Sequence, residues 1–252
     1  MLILLPPSET KRPGGSRRPA DLAALGFEEL LPRREQLVDA LVALAGDAEE
    51  AARVLKLGPK QRGEATVNAT LRTAPAMAAV DRYTGVLFDA LGANTLDAPA
   101  RAWLGRNVAI HSSAFGLVRA LDRIPSYRLG AGITVPGTAA PRALWGSAIT
   151  EVLEAHAPGY VLDLRSEAYV ALGPVPQSLR SAYVRVTTQA GDGTVRALNH
   201  FNKKAKGELV RVLARTRPRV RSTEALISWA SAQGLHVRAG DVAGQVELRV
   251  PA

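Results

Sequence analysis

The chain opens on Met1-Leu-Ile-Leu-Leu5 and halts that apolar run at Pro6-Pro7, and no other feature constrains the fold as much. The run is too short for a signal-peptide core, and no basic residue precedes it. Leu2 to Leu5 therefore reads as a buried first strand. Two prolines cannot extend a strand, so Pro6 to Lys11 becomes the loop at its end. Loops in that position often carry binding and catalytic groups. Ser8, Glu9 and Lys11 place a hydroxyl, a carboxylate and an ammonium within four residues there, enough for acid–base work or for orienting a phosphorylated ligand. A Glu–Lys surface pair after a Pro-Pro turn has the same pattern.

With 252 residues, 47% hydrophobic and 22% charged, the chain can bury one large core or two small ones. No linker, repeat or low-complexity tract divides it, so a single domain over 1–252 is expected. Helical spacing marks Arg33 to Ala45, Asp47 to Leu57 with Asp47 as cap, Met77 to Leu91, Ala98 to Leu104, Ala139 to His156 and Thr223 to Ala232. Strands are expected at Val108 to Ile110, Tyr160 to Leu164, Ala182 to Thr188, Val195 to Leu198, around Val237 and at Val246 to Val250. Gly191-Asp-Gly193 supplies a hairpin turn between two of them. Helices and strands mix without a regular βαβ alternation, which argues for an α+β fold rather than a doubly wound sheet.

Several chemistries are excluded or unsupported. The absence of cysteine removes disulfides, thiolate metal sites and Cys nucleophiles. It also fits a reducing cytoplasm, the expected location. No stretch approaches the roughly 20 apolar residues of a membrane span. His111, His156, His200 and His236 form no metal-ligand spacing, and there is neither a Walker loop nor a G-x-G-x-x-G. No metal and no cofactor is expected.

Charge is informative where it clusters. The net charge is +9. Eight Lys or Arg lie between Asn199 and Arg221 (Lys203, Lys204, Lys206, Arg211, Arg215, Arg217, Arg219, Arg221) against Glu208 alone. A helix over Lys203 to Arg215, capped by Asn202, puts Ala205, Leu209, Val212 and Leu213 on one face and Lys204, Arg211 and Arg215 on another. Three lysines and Gly207 in its first turns crowd the end where helices favour anions. Phosphate-rich partners follow from a local field of this size; a solvated basic face is the plain alternative.

Two further segments invite a functional reading. Ser112-Ser-Ala-Phe-Gly-Leu117, followed by an expected helix through Leu121, offers a turn whose backbone N–H groups could hold a phosphate, with Gly116 and with Ser113 where a first glycine would stand. Asp163-Leu-Arg-Ser-Glu167 lies at a strand end, either as part of a polar site or as the cap of a helix starting near Glu167.

Taken in order, these pieces resemble the peroxide-stress protein YaaA family, in an actinobacterial-type form. The matching elements are Met1 to Lys11, Tyr83-Thr-Gly85, Ser113 to Asp122, Tyr127-Arg-Leu129, Leu144-Trp-Gly146, Asp163 to Tyr169 and Phe201 to Gly207. The resemblance implies a single α+β domain of mixed sheet and surrounding helices, with a basic cleft and a helix–hairpin–helix-like element on Ser113 to Gly116. It also implies binding of duplex DNA, protection from hydrogen peroxide and an indirect lowering of free intracellular iron. Family members carry lysine where Glu9 stands and glycine where Ser113 stands. Phosphate contacts are then expected from Lys203, Lys204, Lys206, Gly207, Arg211, Arg128, Ser113 and Gly116. The competing expectation is an enzyme on a phosphorylated nucleotide or a nucleobase, hydrolysing an N-glycosidic or phosphate-ester bond with Ser8, Glu9, Lys11 and Glu167.

Overall fold

The computed structural model describes residues 1–157, 159–189, 195–196 and 199–250. Its strands are β1 (Leu2–Leu5), β2 (Ser16–Pro19), β3 (Pro75–Ala78), β4 (Val108–Ser112), β5 (Gly116–Arg119), β6 (Arg123–Ile124), β7 (Val161–Asp163), β8 (Ser181–Gln189), β9 (Val195–Arg196), β10 (His236–Ala239) and β11 (Gln245–Val250). Its α-helices are α1 (Leu31–Leu44), α2 (Ala48–Val54), α3 (Ala79–Arg82), α4 (Val86–Leu91), α5 (Ala98–Asn107), α6 (Pro141–His156), α7 (Glu167–Val170), α8 (Asn199–Thr216) and α9 (Thr223–Ala232).

The main sheet runs β10-β11-β8-β7-β1-β4-β5, with β9 paired to β8, while β2, β3 and β6 form a small separate sheet. β11, β8, β7, β1 and β4 are all parallel, and antiparallel strands close both edges. Leu2 to Leu5 are fully buried, since β1 pairs through Ile3 with Val108 on one side and Leu162 on the other. This is why the run contains no polar alternation. One hydrophobic cluster extends from β1 to Leu226 of α9 and Leu248 of β11. The mixed sheet with surrounding helices agrees with the expected class, although its centre is parallel.

Local chemistry explains several helix starts. Asp47 accepts from the Glu49 and Glu50 amides at 3.0 Å, and Asp97 from Ala100 N at 2.8 Å, which caps α2 and α5. Pro141 occupies the first turn of α6, where its missing N–H costs nothing.

Three expectations are corrected. Residues after Ser112 form no helix; Gly116 to Arg119 pairs back on β4 as an antiparallel strand, with His111 opposite Leu117. The helix expected from Met77 is broken, because Met77 belongs to β3 and Gly85, at φ 96°, separates α3 from α4. α8 begins at Asn199, so Asn202 lies inside it rather than capping it. The Gly191-Asp-Gly193 turn and residues 197–198 of an expected strand lie outside the described residues; β8 and β9 pair antiparallel through Thr188 and Arg196.

Part of the positive charge is internal. Arg34 donates to the carbonyls of Leu25, Gly26, Phe115 and Leu117. Arg82 donates to those of Arg12, Gly14, Pro75 and Ile124. Both are fully buried, and each ties together backbone carbonyls from separate segments of the chain.

Candidate functional site

In the parallel run the chain passes from β1 to β4 on one side, then crosses to β7, β8 and β11 on the other. The order therefore reverses at β1, and open parallel sheets bind ligands outside the carboxyl ends of the strands at such a reversal. The loop after β1, the turn after β4 and the segment after β7 all leave from that edge.

The β1 loop is fixed against the Tyr83 segment. Lys11 forms a β-bridge with Tyr83, Arg12 N donates to Arg82 O at 2.8 Å, and Thr84 N donates to Thr10 O at 3.1 Å. Thr84 Oγ1 reaches Thr10 Oγ1 at 3.0 Å, and Ser8 Oγ lies 3.2 Å from the same oxygen. Lys11 Nζ donates to the carbonyls of Ser8 and Glu9, each at 3.2 Å, and stands 4.0 Å from the centre of the Tyr127 ring. Burial, reinforced by the nearby Arg128 guanidinium, brings the Lys11 ammonium down to about 7. Arg128 meanwhile holds the two carboxylates closest in charge, Glu9 at 3.6 Å and Glu64 at 3.3 Å.

Behind this loop is a buried hydroxyl string. Tyr83 OH and Tyr127 OH are 2.8 Å apart, and Ser112 Oγ donates to Tyr127 OH at 2.9 Å. Burial raises both phenols, so they remain neutral. Ser112 Oγ also accepts from the amides of Ala114 and Phe115, at 3.2 and 3.1 Å. Those are the amides that a phosphate-gripping hairpin would have to present. Ser113 Oγ donates to Leu129 O at 2.7 Å, its carbonyl accepts from Trp145 Nε1 at 3.1 Å, and Gly116, at φ 63°, packs under the Trp145 ring. The Ser113 to Gly116 turn is thus a buried turn whose Ala114 and Phe115 amides are satisfied internally, and it joins strands β4 and β5 rather than two helices.

The segment after β7 carries a buried ion pair. Arg165 clasps Asp163 through Nε at 2.9 Å and Nη2 at 2.7 Å, and its Nη1 donates to Gly173 O at 2.8 Å and to His111 Nδ1 at 3.1 Å. A guanidinium can only donate, so Nδ1 is the acceptor and the His111 proton resides on Nε2. Burial, then the Arg165 charge, holds His111 well below its ordinary value. Its Nε2 has no hydrogen-bond partner among the described residues. Glu167 is exposed at the first position of α7.

The basic cluster divides in two. Lys206 is 5% exposed; its Nζ reaches Arg165 O at 3.5 Å, and burial lowers it to about 8 against the pull of Asp163 and Glu167. Arg211 Nη1 donates to Leu91 O, Gly92 O and Thr95 Oγ1 at 2.9 to 3.1 Å, which caps the end of α4. Gly207 faces α4, with a Cβ position only 2.2 Å from Leu87 O. Lys203, Lys204, Arg215, Arg217, Arg219 and Arg221 are exposed, and among the described residues only Lys204 has an acidic partner, Glu208 at 3.7 Å.

The structure therefore sets Ser8, Glu9, Lys11 and Arg128 together at the loop after β1, Ser113 in the turn after β4 and Lys206 against the segment after β7, and leaves Lys203 and Lys204 on the helix surface. A cavity of about 570 Å³ is lined by Arg53, Lys56 and residues 132–138 and includes none of them, so the expected basic cleft is not delineated. Sequence reasoning overlooked His111 and Arg165 as a pair. A histidine directly after the apolar run Val108 to Ile110 was the available signal, since a buried polar group requires a partner.

Fold and edge together define a mixed-sheet protein with a parallel centre and a polar cluster at its strand-order reversal. The chain belongs to the family described as peroxide stress protein YaaA, whose model matches residues 1–240. It is 50% identical over 227 residues to UPF0246 protein CE1889 of Corynebacterium efficiens, 88% of each chain. It is 44% identical over 222 residues to UPF0246 protein SCO2297 of Streptomyces coelicolor, covering 86% of this chain and 84% of the other. It is 42% identical over 241 residues to UPF0246 protein Cgl1995/cg2186 of Corynebacterium glutamicum, 94% of each. Among the described residues no helix is long and apolar enough to cross a membrane.

Proposed function

We propose that the protein serves the peroxide-stress response by binding duplex DNA through its phosphates, shielding it from damage, with any effect on free iron indirect. One observation carries this reading: of six exposed cations, Lys203, Lys204, Arg215, Arg217, Arg219 and Arg221, only Lys204 has an acidic partner among the described residues. Lys204 and Arg215 lie eleven residues apart, which on an α-helix is the same face and about 16 Å of axis. Such a stripe can follow a phosphate backbone while reading little sequence. The test is fluorescence anisotropy with labelled duplexes of unrelated sequence. Similar affinities for all of them, each reduced in Lys203→Ala/Lys204→Ala, support the reading. Absence of duplex binding at low salt sinks it.

A second reading rests on the strand edge: an enzyme acting on a phosphorylated nucleotide or nucleobase. What supports it is placement: Ser8, Glu9, Lys11 and Arg128 meet at the loop after β1, and Lys206 lies against Arg165 after β7, the parallel neighbour of β1 at the strand-order reversal. Arg128 and Lys206 would hold the anion, and Ser8, Glu9, Lys11 and Glu167 would supply acid–base groups. Incubation with nucleotides and with intact and oxidised duplexes, followed by chromatography, tests it. A new product lost in Glu9→Gln supports it; unchanged substrates at high enzyme concentration oppose it.

A further inference from the structure

We propose that Glu9 is a resident stand-in for a ligand: its carboxylate occupies the Arg128 guanidinium in the free protein, and a phosphate group displaces it on binding. This rests on the second reading's assignment of Arg128 to an anion. It adds that the anion competes with one of the chain's own carboxylates.

Arg128 is set apart by what its guanidinium does not do. Arg34, Arg82 and Arg165 are fully buried and spend their N–H groups on protein acceptors. The Arg128 side chain is only 15% exposed, yet among the described residues its guanidinium donates no hydrogen bond. Buried donors are generally paired, so a guanidinium left unspent at this depth calls for an acceptor. Its position is nonetheless fixed through the backbone. Arg128 N donates to Asn68 Oδ1 and Asn68 Nδ2 donates to Arg128 O, both at 2.8 Å, and Asn68 is itself buried. The charge is held in place while its planar fork stays unused.

The two carboxylates beside it stand off, Glu64 Oε2 at 3.3 Å from Nε and Glu9 Oε2 at 3.6 Å from Nη1. Where carboxylates anchor an arginine elsewhere in this fold, they come closer: Arg72 reaches Glu35 at 2.6 Å and Asp39 at 2.9 Å. Contacts of that length are strong charge-assisted hydrogen bonds, and those of Arg128 are not. Glu9 is the looser of the pair, and its side chain is 80% exposed. Its backbone is anchored instead, because Lys11 Nζ donates to Glu9 O at 3.2 Å. Rotation about side-chain bonds alone therefore lifts the carboxylate into solvent and opens the way to Nη1. Nη1 and Nη2 then form the planar fork that takes two oxygens of a phosphate. The freed carboxylate remains tethered beside that group, where the second reading gives it acid–base work.

The test is an NMR titration of the full chain with inorganic phosphate, at ionic strength held constant with chloride, read from the amides around Arg128. An exposed ion pair contributes a factor of about 1.5–5 to such an equilibrium. Glu9→Gln should therefore bind phosphate about 1.5- to 5-fold more tightly than the wild type. Glu9→Asp keeps the charge but falls one methylene short of Nη1, so it too should bind more tightly. Arg128→Met, which retains the backbone clamp to Asn68, should abolish the shifts. A gain in Glu9→Gln with Glu9→Asp at the wild-type value means charge repulsion alone and overturns the proposal. Equal affinities in the wild type and both Glu9 variants, each dependent on Arg128, overturn it while leaving the Arg128 anion site intact. Shifts that persist in Arg128→Met, or that are absent from every variant, remove that site and the proposal with it.

Discussion

Gly207→Ala separates two roles for the glycine by the sign of one number. At an exposed position inside a helix, alanine is better than glycine by about 1 kcal/mol, so the substitution would stabilise. In this fold the added Cβ would fall 2.2 Å from Leu87 O, 2.9 Å from Ala90 Cβ and 3.0 Å from Leu91 N. Non-bonded carbons rest about 3.5 Å or more from their neighbours, so α4 must retreat by about 1 Å. The nearest atom is backbone, so no side-chain rotation relieves the contact. Overpacking of this kind costs about 1–3 kcal/mol, and the backbone contact places Gly207 toward the upper end, a net loss near 2 kcal/mol after the propensity gain. For a chain of this size that corresponds to a fall in Tm of about 4–8 °C. Urea unfolding followed by circular dichroism measures it directly. A rise in midpoint would refute the packing of α4 on α8 described above and return Gly207 to the surface as a candidate phosphate contact.

Three further outcomes follow from the site. Arg165→Met strands Asp163 without its clasp in a buried setting, and loss of one partner of such a pair should cost about 3–5 kcal/mol in chemical denaturation. Lys11 is lowered from 10.5 to about 7, so between those values the unfolded chain holds a proton that the native chain lacks. Its contribution to stability thus rises from pH 7 toward pH 10 and is lowest below pH 7, with a ceiling of about 5 kcal/mol before solvent screening; Lys11→Met should flatten this part of the stability–pH curve, and an unchanged slope would contradict the burial of Nζ. Ser112→Ala removes the acceptor of the Ala114 and Phe115 amides and should lower stability by about 1–3 kcal/mol, whereas a neutral result would mean that water reaches that turn.

Much of this was legible in the chain itself, for identifiable reasons. Leu2 to Leu5 with its Pro-Pro stop fixed a core strand and the loop that carries Lys11, because both signals are local. Asp47 marked a helix start through the backbone donors that its side chain satisfies. Gly116 to Arg119 was not legible as a strand, since a short apolar run has no period of its own and only its pairing with β4 decides its state. The parallel centre was hidden for a related reason: β1 and β4 are separated by more than 100 residues that include two strands of a second small sheet. The basic cluster was visible as charge, but its division was not. Lys206 and Arg211 differ from Lys204 only in what α4 and β7 bring against them, and no spacing within α8 records that.

The division of the basic cluster into structural and exposed cations is tested most directly by the salt dependence of duplex binding. Each phosphate contact contributes about 0.9 to the slope of log affinity against log salt. If all six exposed cations engage DNA, the slope is about −5; Lys203→Ala/Lys204→Ala should reduce it by about 2, and Arg211→Met should leave it unchanged while lowering the unfolding midpoint. A slope near zero, or a loss of slope in Arg211→Met equal to that in the lysine pair, would contradict the account.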